Sequence, residues 1–496
     1  MLNGVMLQGF HWESCDDGSV WEMLGRRAGD FAKRGFSAVW LPPATKGAGG
    51  ADDVGYGVYD LWDLGAYDQK GSTATKYGTQ EQFVSCVAAL RDAGLLVVSD
   101  VVLNHRLGAD AQETFRMVAV PKDATAEAAG EPFEGEAWTR FAFPGREGEL
   151  SNFLWTHEHF VGVGETEDGG SVLRVADVDF AGDTGDGRDR GRADYLLGAD
   201  VNLHHPAVRE ELLKWGEWYL ETTGVDGFRL DAVRHMSTDF LAWWLGELRA
   251  GRGDRELFAV GEFSAGDGSE LVDFYDRVGG SMDLFDMPLQ HRLHEASEAG
   301  EGFDLTTVFA GALVAQRPEI AVTFVDSHDT QPGQTIGTWV KDWFKPHAYA
   351  LILLRRDGFP VVFAGDYDGG VSGPDKVKMT RHRDLLDRLL DLRDRFNHGD
   401  QHDHFDHASC VAWVRTGDDD HPGAMVVVMS NGEPGFKTVC THRPNETFHR
   451  VFHRGDAGDT PDRLETGEDG CARFGCPAGG VAVWVSDANR EARWGG

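Results

Sequence analysis

The chain has 496 residues, too many for one compact core, so two or three domains are expected. Its 41% hydrophobic content, with 15 Trp and 29 Phe, supplies a sizeable core and excludes wholesale disorder. A formal net charge of −35 repels nucleic acid and anionic membranes, so neither is expected as a partner; it suits a neutral substrate, and also a high-salt medium.

Residues 5–10 read as a strand and Val20–Lys33 as a helix, with Trp21, Leu24, Ala28 and Phe31 on one face. A strand over 37–41 ends in Pro42-Pro43. A helix over 79–93 opens with a capping box, Thr79 with Gln82, and stops at Gly94. Residues 95–103 form a long apolar run, typical of a strand buried on both faces of a parallel sheet. From 104 to 205 the periodicity lapses into Gly, Asp, Glu and aromatics, the mark of an irregular inserted subdomain at a functional face. Alternation resumes with a helix over 207–221, a strand over 227–233 and a helix over 238–248. Strands follow at 257–263, 282–285, 321–325 and 360–364, and then the helix Arg383–Phe396. Eight strands with intervening helices close naturally into a (β/α)8 TIM barrel, with an open doubly wound sheet as the alternative. Beyond 397, short β-type runs such as Cys410–Arg415, 424–429 and 480–485 predict an antiparallel β-sandwich. The expected division is 1–103 with 206–396 as barrel, 104–205 as β-rich insertion and 397–496 as C-terminal domain.

Cys15, Cys86, Cys410, Cys440, Cys471 and Cys476 contain no CxxC pair, so a zinc or thioredoxin-type site is not expected. Such sparse use fits free thiols in a reducing compartment. No run approaches the roughly 18 apolar residues of a membrane span, and no signal segment stands before the first strand. Cytoplasmic residence is therefore expected, or secretion if a signal peptide was cut from the sequence.

In a TIM barrel the C-terminal strand ends carry the chemistry. Here they read Asn104-His105, Asp231, Glu262 and His328-Asp329. Within Asp226-Gly-Phe-Arg-Leu-Asp-Ala-Val-Arg-His235, strand alternation puts Arg229 and Asp231 on one face, and the cation holds the acid ionised. A structural ion pair would look the same in isolation. Three carboxylates from three strand ends, however, are the equipment of glycoside cleavage: one acid protonates the leaving oxygen while another attacks or activates water.

The motifs Asp100-Val-Val-Leu-Asn-His105, Gly227-Phe-Arg-Leu-Asp231, Val260-Gly-Glu262 and Phe324-Val-Asp-Ser-His-Asp329 appear in this order. They closely resemble the α-amylase family of glycoside hydrolases (family 13), and the resemblance spans the chain. Val54-Gly-Tyr-Gly57, Tyr59-Asp-Leu-Trp-Asp-Leu-Gly65 and Thr75-Lys-Tyr-Gly78 are similar to its liquefying bacterial and intracellular branch. The resemblance implies endo-hydrolysis of α-1,4-glucans such as starch, glycogen and maltodextrin by a monomer. Asp231 would be nucleophile, Glu262 acid and base, and Asp329 the holder of the sugar hydroxyls. Tyr56, His105, Arg229, Arg234, His235 and His328 would bind substrate. An exo-acting oligosaccharide-forming enzyme or a transglycosylase shares these motifs; a non-catalytic glucan-binding scaffold would have lost the acids. The resemblance also implies one structural Ca²⁺ held by Asn104, Asp194, Asp200 and the His235 carbonyl, hard oxygens of the kind calcium gathers. Val201-Asn-Leu-His204 stands where relatives place more aspartates, so a second calcium with a companion sodium is not expected, although Asp183 remains a candidate ligand. Ser327 replaces the usual asparagine, and Phe263-Ser264 a usual aromatic pair, which predicts a weaker substrate contact past Glu262. Trp12, Trp138 and Trp155 are candidate stacking platforms.

Overall fold

The computed structural model describes residues 3–14, 17–122, 130–176, 178, 195–253, 255–334, 336–456 and 461–488. Eight parallel strands close a barrel: Met6–Gln8, Ala38–Leu41, Leu96–Val101, Gly227–Leu230, Phe258–Gly261, Asp283–Phe285, Ala321–Phe324 and Phe359–Phe363. They neighbour one another in chain order, and Met6 closes the ring by pairing with both Ala38 and Val361. The open-sheet alternative is thereby excluded.

Strand parity sorts the barrel. Val39, Leu41, Phe228, Leu230 and Leu284 face out against the helices in the main core. Met6, Ala38, Trp40, Val98, Val260, Val322 and Val361 pack in an inner cluster. One pleat further up, the inner face turns polar: Gln8, Asp100 and Arg229 are all buried. That layer is the floor of the site.

The helices Val20–Lys33 and Arg383–Phe396 fall on the expected bounds, and Trp21, Leu24, Ala28 and Phe31 of the first are all buried. The helix Gln80–Asp92 begins at the expected capping box: Gln82 N–H donates to Thr79 Oγ1 at 3.3 Å, and Thr79 N–H to Gln82 Oε1 at 2.8 Å. It ends before Gly94, whose φ of +85° only glycine adopts cheaply.

Three expectations need correction. The fourth strand stops at Leu230 rather than 233, because Ala232 adopts φ +52° and Val233–His235 form a 3₁₀ turn. The stretch from 104 to 205 is more regular than its composition implied: Ala111–Pro121, Phe133–Arg140, Gly162–Glu165 and Ser171–Val175 form a four-stranded antiparallel sheet. Its strands are half-exposed, so they lack a clean hydrophobic period. Nor are all thiols free: Cys440 and Cys471 form a disulfide across paired antiparallel strands. Cys86, Cys410 and Cys476 are free and buried, and Cys15 lies outside the described residues.

The C-terminal region is a sandwich. A six-stranded sheet, ordered Gln401–His404, Cys410–Arg415, Met425–Ser430, Val481–Ser486, Thr447–Arg454 and Arg463–Glu465, faces the two-stranded antiparallel sheet of Gly435–Cys440 with Cys471–Cys476. Ala412, Val426, Phe448, Phe474 and Trp484 fill the space between them. Alternate residues, Trp413, Val427 and Val483, join the barrel core, and Trp413 Nε1 donates to Leu354 O at 2.8 Å.

Candidate active site

Arg229 organises the floor. Its guanidinium is 1% exposed and contacts three carboxylates: Asp231 at 2.7 Å and Asp100 at 2.9 Å through Nη1, and Glu262 at 3.0 Å through Nη2. Arg229 lies in register with Asp100 and Val260 on the flanking parallel strands, so pairing alone brings these groups level. Gly261 precedes Glu262 because a Cβ there would sit 2.7 Å from Met282 Sδ.

The main chain fixes the two acids a second way. The left-handed turn at Ala232 directs its N–H to Glu262 Oε2 at 3.1 Å, and Val233 N–H reaches Glu262 O at 3.0 Å. Burial raises the Glu262 carboxyl above the ordinary glutamate range; Arg229 opposes the shift and Asp231 adds to it. Burial and then Glu262 push Asp329 well above the aspartate range. Asp100 rises to about 7, again through burial, against the pull of Arg229. Asp100, Glu262 and Asp329 are thus all pushed toward their protonated forms around one cation.

His328 ties this cluster to Asp329. Gln8 Nε2 donates to its Nδ1 at 2.7 Å, so the ring proton sits on Nε2, facing the Tyr56 hydroxyl at 2.7 Å and Asp329 Oδ2 at 3.2 Å. Burial, and then Arg229, hold His328 well below the ordinary histidine range, so the ring is neutral. The Tyr56 hydroxyl donates onward to Asp100 at 2.9 Å, and Trp40 Nε1 donates to the same oxygen at 3.0 Å. Tyr56 lies parallel to His328 with ring centroids 5.2 Å apart, and Trp12 leans on both.

The remaining expected residues divide. His105 is buried with Nε2 bonded to Tyr56 O at 2.9 Å, which positions Tyr56. Arg234 donates to Ser264 O at 2.6 Å. His235 is half-buried in the turn after Asp231. Asn104 and Asp200 are both buried and lie on adjoining segments, with Val201 N–H donating to Asn104 O at 2.9 Å. Asn104 Oδ1 is a buried oxygen without a hydrogen-bond partner, which fits a hard cation. Asp183 and Asp194 lie outside the described residues. Phe263 points inward and packs on Phe274 at 4.8 Å, so it offers no face to a sugar. Trp155 is buried under Arg106, whereas Trp138 is 58% exposed on the insertion.

Sequence reasoning missed the support beneath Asp329. Asp326 is buried and bonded to Lys345, which also holds Asp366 at 2.7 Å. Thr330 Oγ1 donates to Asp326 Oδ1 at 2.7 Å and accepts from Ser327 N at 2.9 Å, clamping the turn. Asp329 N–H donates to Ser327 Oγ at 3.2 Å, so the departure from asparagine leaves Asp329 an anchor. The available signal was a charged residue inside an apolar strand at Asp100, and one just past the end of another at Asp326.

Comparison with known proteins bears on this arrangement. A family profile described as the α-amylase catalytic domain matches residues 191–414. An α-amylase of Geobacillus stearothermophilus is 39% identical over 490 residues, spanning 98% of this chain and 87% of the relative. The chain belongs to the α-amylase family. The cytoplasmic α-amylase of Escherichia coli (strain K12) is 40% identical over 499 residues, spanning 98% of this chain and 99% of that protein. The crystal structure of an α-amylase from Geobacillus thermoleovorans complexed with acarbose shares the fold with a TM-score of 0.65 at 17% identity, covering 98% of this chain and 97% of the other. This α-amylase family member is a glycoside hydrolase on a (β/α)8 barrel with a C-terminal antiparallel-sheet domain.

Proposed function

We propose that the protein cleaves internal α-1,4 bonds of starch, glycogen and maltodextrin by a retaining double displacement centred on Asp231, Glu262 and Asp329. The observation that carries this reading is that Asp231 and Glu262 sit on neighbouring nitrogens of one guanidinium. Carboxyls that close leave no room for the water an inverting enzyme interposes. Glu262, pushed toward its protonated form, gives its proton to the glycosidic oxygen as Asp231 attacks the anomeric carbon. Glu262 then takes a proton from the water that hydrolyses the glycosyl-enzyme. Asp329 and the His328 Nε2–H bind the sugar hydroxyls, while Tyr56, Trp12, Arg234 and His235 line the path of the chain. Asn104, Asp200, the His235 carbonyl and Asp194 would hold a Ca²⁺ whose chemistry is structural, stiffening the seam between barrel and insertion.

We take 1–103 with 206–396, 104–205 and 397–496 as the three domains of a monomer. The cytoplasmic relative supports the same compartment here, and the Cys440–Cys471 bridge weighs against it. The test is the product time course on soluble starch, with and without a chelator, for wild type, Asp231→Asn and Glu262→Gln. Mixed oligosaccharides that shorten with time, and loss of cleavage in both variants, are expected. A single early product would indicate exo action, and substantial activity in Asp231→Asn would refute its role.

A further inference from the structure

Gln331 stands two residues past Asp329 and is wholly buried. Its side-chain amide joins three loops at the C-terminal mouth of the barrel. Trp12 and Glu13 follow the strand Met6–Gln8, and Gln331 follows Ala321–Phe324. Ser372 ends the first strand of a hairpin, Gly370–Ser372 with Val377–Met379, that follows Phe359–Phe363. Gln331 Oε1 accepts the Trp12 N–H at 3.2 Å, and Nε2 donates to Glu13 Oε2 at 2.7 Å and to Ser372 Oγ.

These partners leave the amide one orientation. A peptide N–H only donates and a carboxylate only accepts, so the oxygen faces Trp12 and the nitrogen faces Glu13. Ser372 Oγ gives its own proton to Pro332 O, so it too accepts from Gln331. Glu13 completes the clamp with its second oxygen, which accepts from Gly373 N–H at 2.6 Å. The turn around Trp12 otherwise closes on itself, with His11 N–H donating to Ser14 Oγ at 2.8 Å and Ser14 N–H to His11 O at 3.0 Å. Gln331 thus ties the Trp12 main chain to the loop that carries Asp329. The Trp12 ring meets Tyr56 and His328 with centroids 5.4 Å and 5.5 Å away. Packing alone would be served as well by an apolar side chain of that size, which needs no partners.

We propose that Gln331 is a positioning residue for substrate: through the Trp12 main chain it holds the Trp12 ring against Tyr56 and His328, on the wall that receives a glucosyl ring. This role rests on the glucan-cleaving function proposed above and adds to it a support for binding beyond the three acids. Sugars pack their apolar faces on aromatic rings, so the contact depends on where the ring is held. None of the amide's bonds goes to Asp231, Glu262 or Asp329, so its loss belongs in KM rather than kcat.

The test is a double-mutant cycle on the full chain with maltooligosaccharides as substrate. Gln331→Met keeps the volume and removes the bonds; KM should rise roughly fivefold, the factor of one net hydrogen bond, with kcat within about twofold of wild type. Trp12→Ala should raise KM by itself, and Gln331→Met should add nothing to it, because the ring to be positioned is gone. Should Gln331→Met fail to fold, Glu13→Ala, at the partly exposed edge of the clamp, takes its place in the cycle. Additive effects on KM, or a wild-type KM in Gln331→Met, would overturn the role of Gln331. A fall in kcat alone would overturn it too, by showing that the amide acts through Asp329. A wild type that cleaves no starch would refute the proposed function instead, and maltooligosaccharide affinity by calorimetry would then replace KM in the same cycle.

Discussion

Replacing Arg229 by methionine takes one cation from beneath three buried carboxylates: Asp100, Asp231 and Glu262. Removing one partner of a buried ion pair costs about 3–5 kcal/mol, because the charge left behind is unpaired. The loss should depend on pH. Burial already raises the folded-state pKa of Asp100 and Glu262, with Arg229 opposing it, so removing Arg229 raises both further. A raised carboxyl adds stability below its unfolded pKa and loses it as pH climbs through the folded value. Asp100 titrates at about 7 in wild type and higher in the variant, so the stability deficit should widen between pH 6 and pH 8. Arg229→Lys keeps a charge but not the fork that holds Asp231 and Glu262 on separate nitrogens. One lost charge-assisted hydrogen bond, about 1.5–3 kcal/mol, should lower kcat/KM on starch roughly 10- to 150-fold. Thermal unfolding across that pH range, with steady-state kinetics of both variants, measures these effects. A pH-independent stability deficit in Arg229→Met, or near-normal turnover in Arg229→Lys, would show that the guanidinium does not organise the acids.

Three further outcomes follow from the same geometry. Ser327→Ala removes the acceptor for Asp329 N–H; at about 1 kcal/mol for a net hydrogen bond, kcat should fall roughly fivefold with little change in KM. Asn104→Ala should abolish the drop in thermal midpoint that a chelator causes in wild type, since the orphaned amide oxygen would no longer serve the metal. Phe263→Ala should destabilise by about 3–5 kcal/mol through the cavity left against Phe274, while KM for maltooligosaccharides stays at the wild-type value.

The barrel was legible because its signals are local. Apolar runs buried on both faces marked the strands, and a capping box with an amphipathic stripe bounded the helices. The three acids were legible as strand ends. What escaped depends on contacts no short window contains. Lys345 reaches Asp326 and Asp366 across separate elements, and Cys440 meets Cys471 only once their strands pair. The early end of the fourth strand hid for another reason: alanine at φ +52° bears no mark of the turn it makes, as a glycine would have. The expected weaker contact past Glu262 agrees with Phe263 turning inward onto Phe274, although the direction of the ring was not legible in the motif.

That alanine turn matters beyond its own strain. Because the peptide groups of Ala232 and Val233 grip both ends of Glu262, the main chain shares with Arg229 the task of placing Glu262 beside Asp231. Side chains that touch neither carboxylate nor Arg229 are therefore free to vary without resetting that distance. New product patterns can be sought by reshaping the loops around the cleft, while the cleavage machinery is inherited intact as backbone.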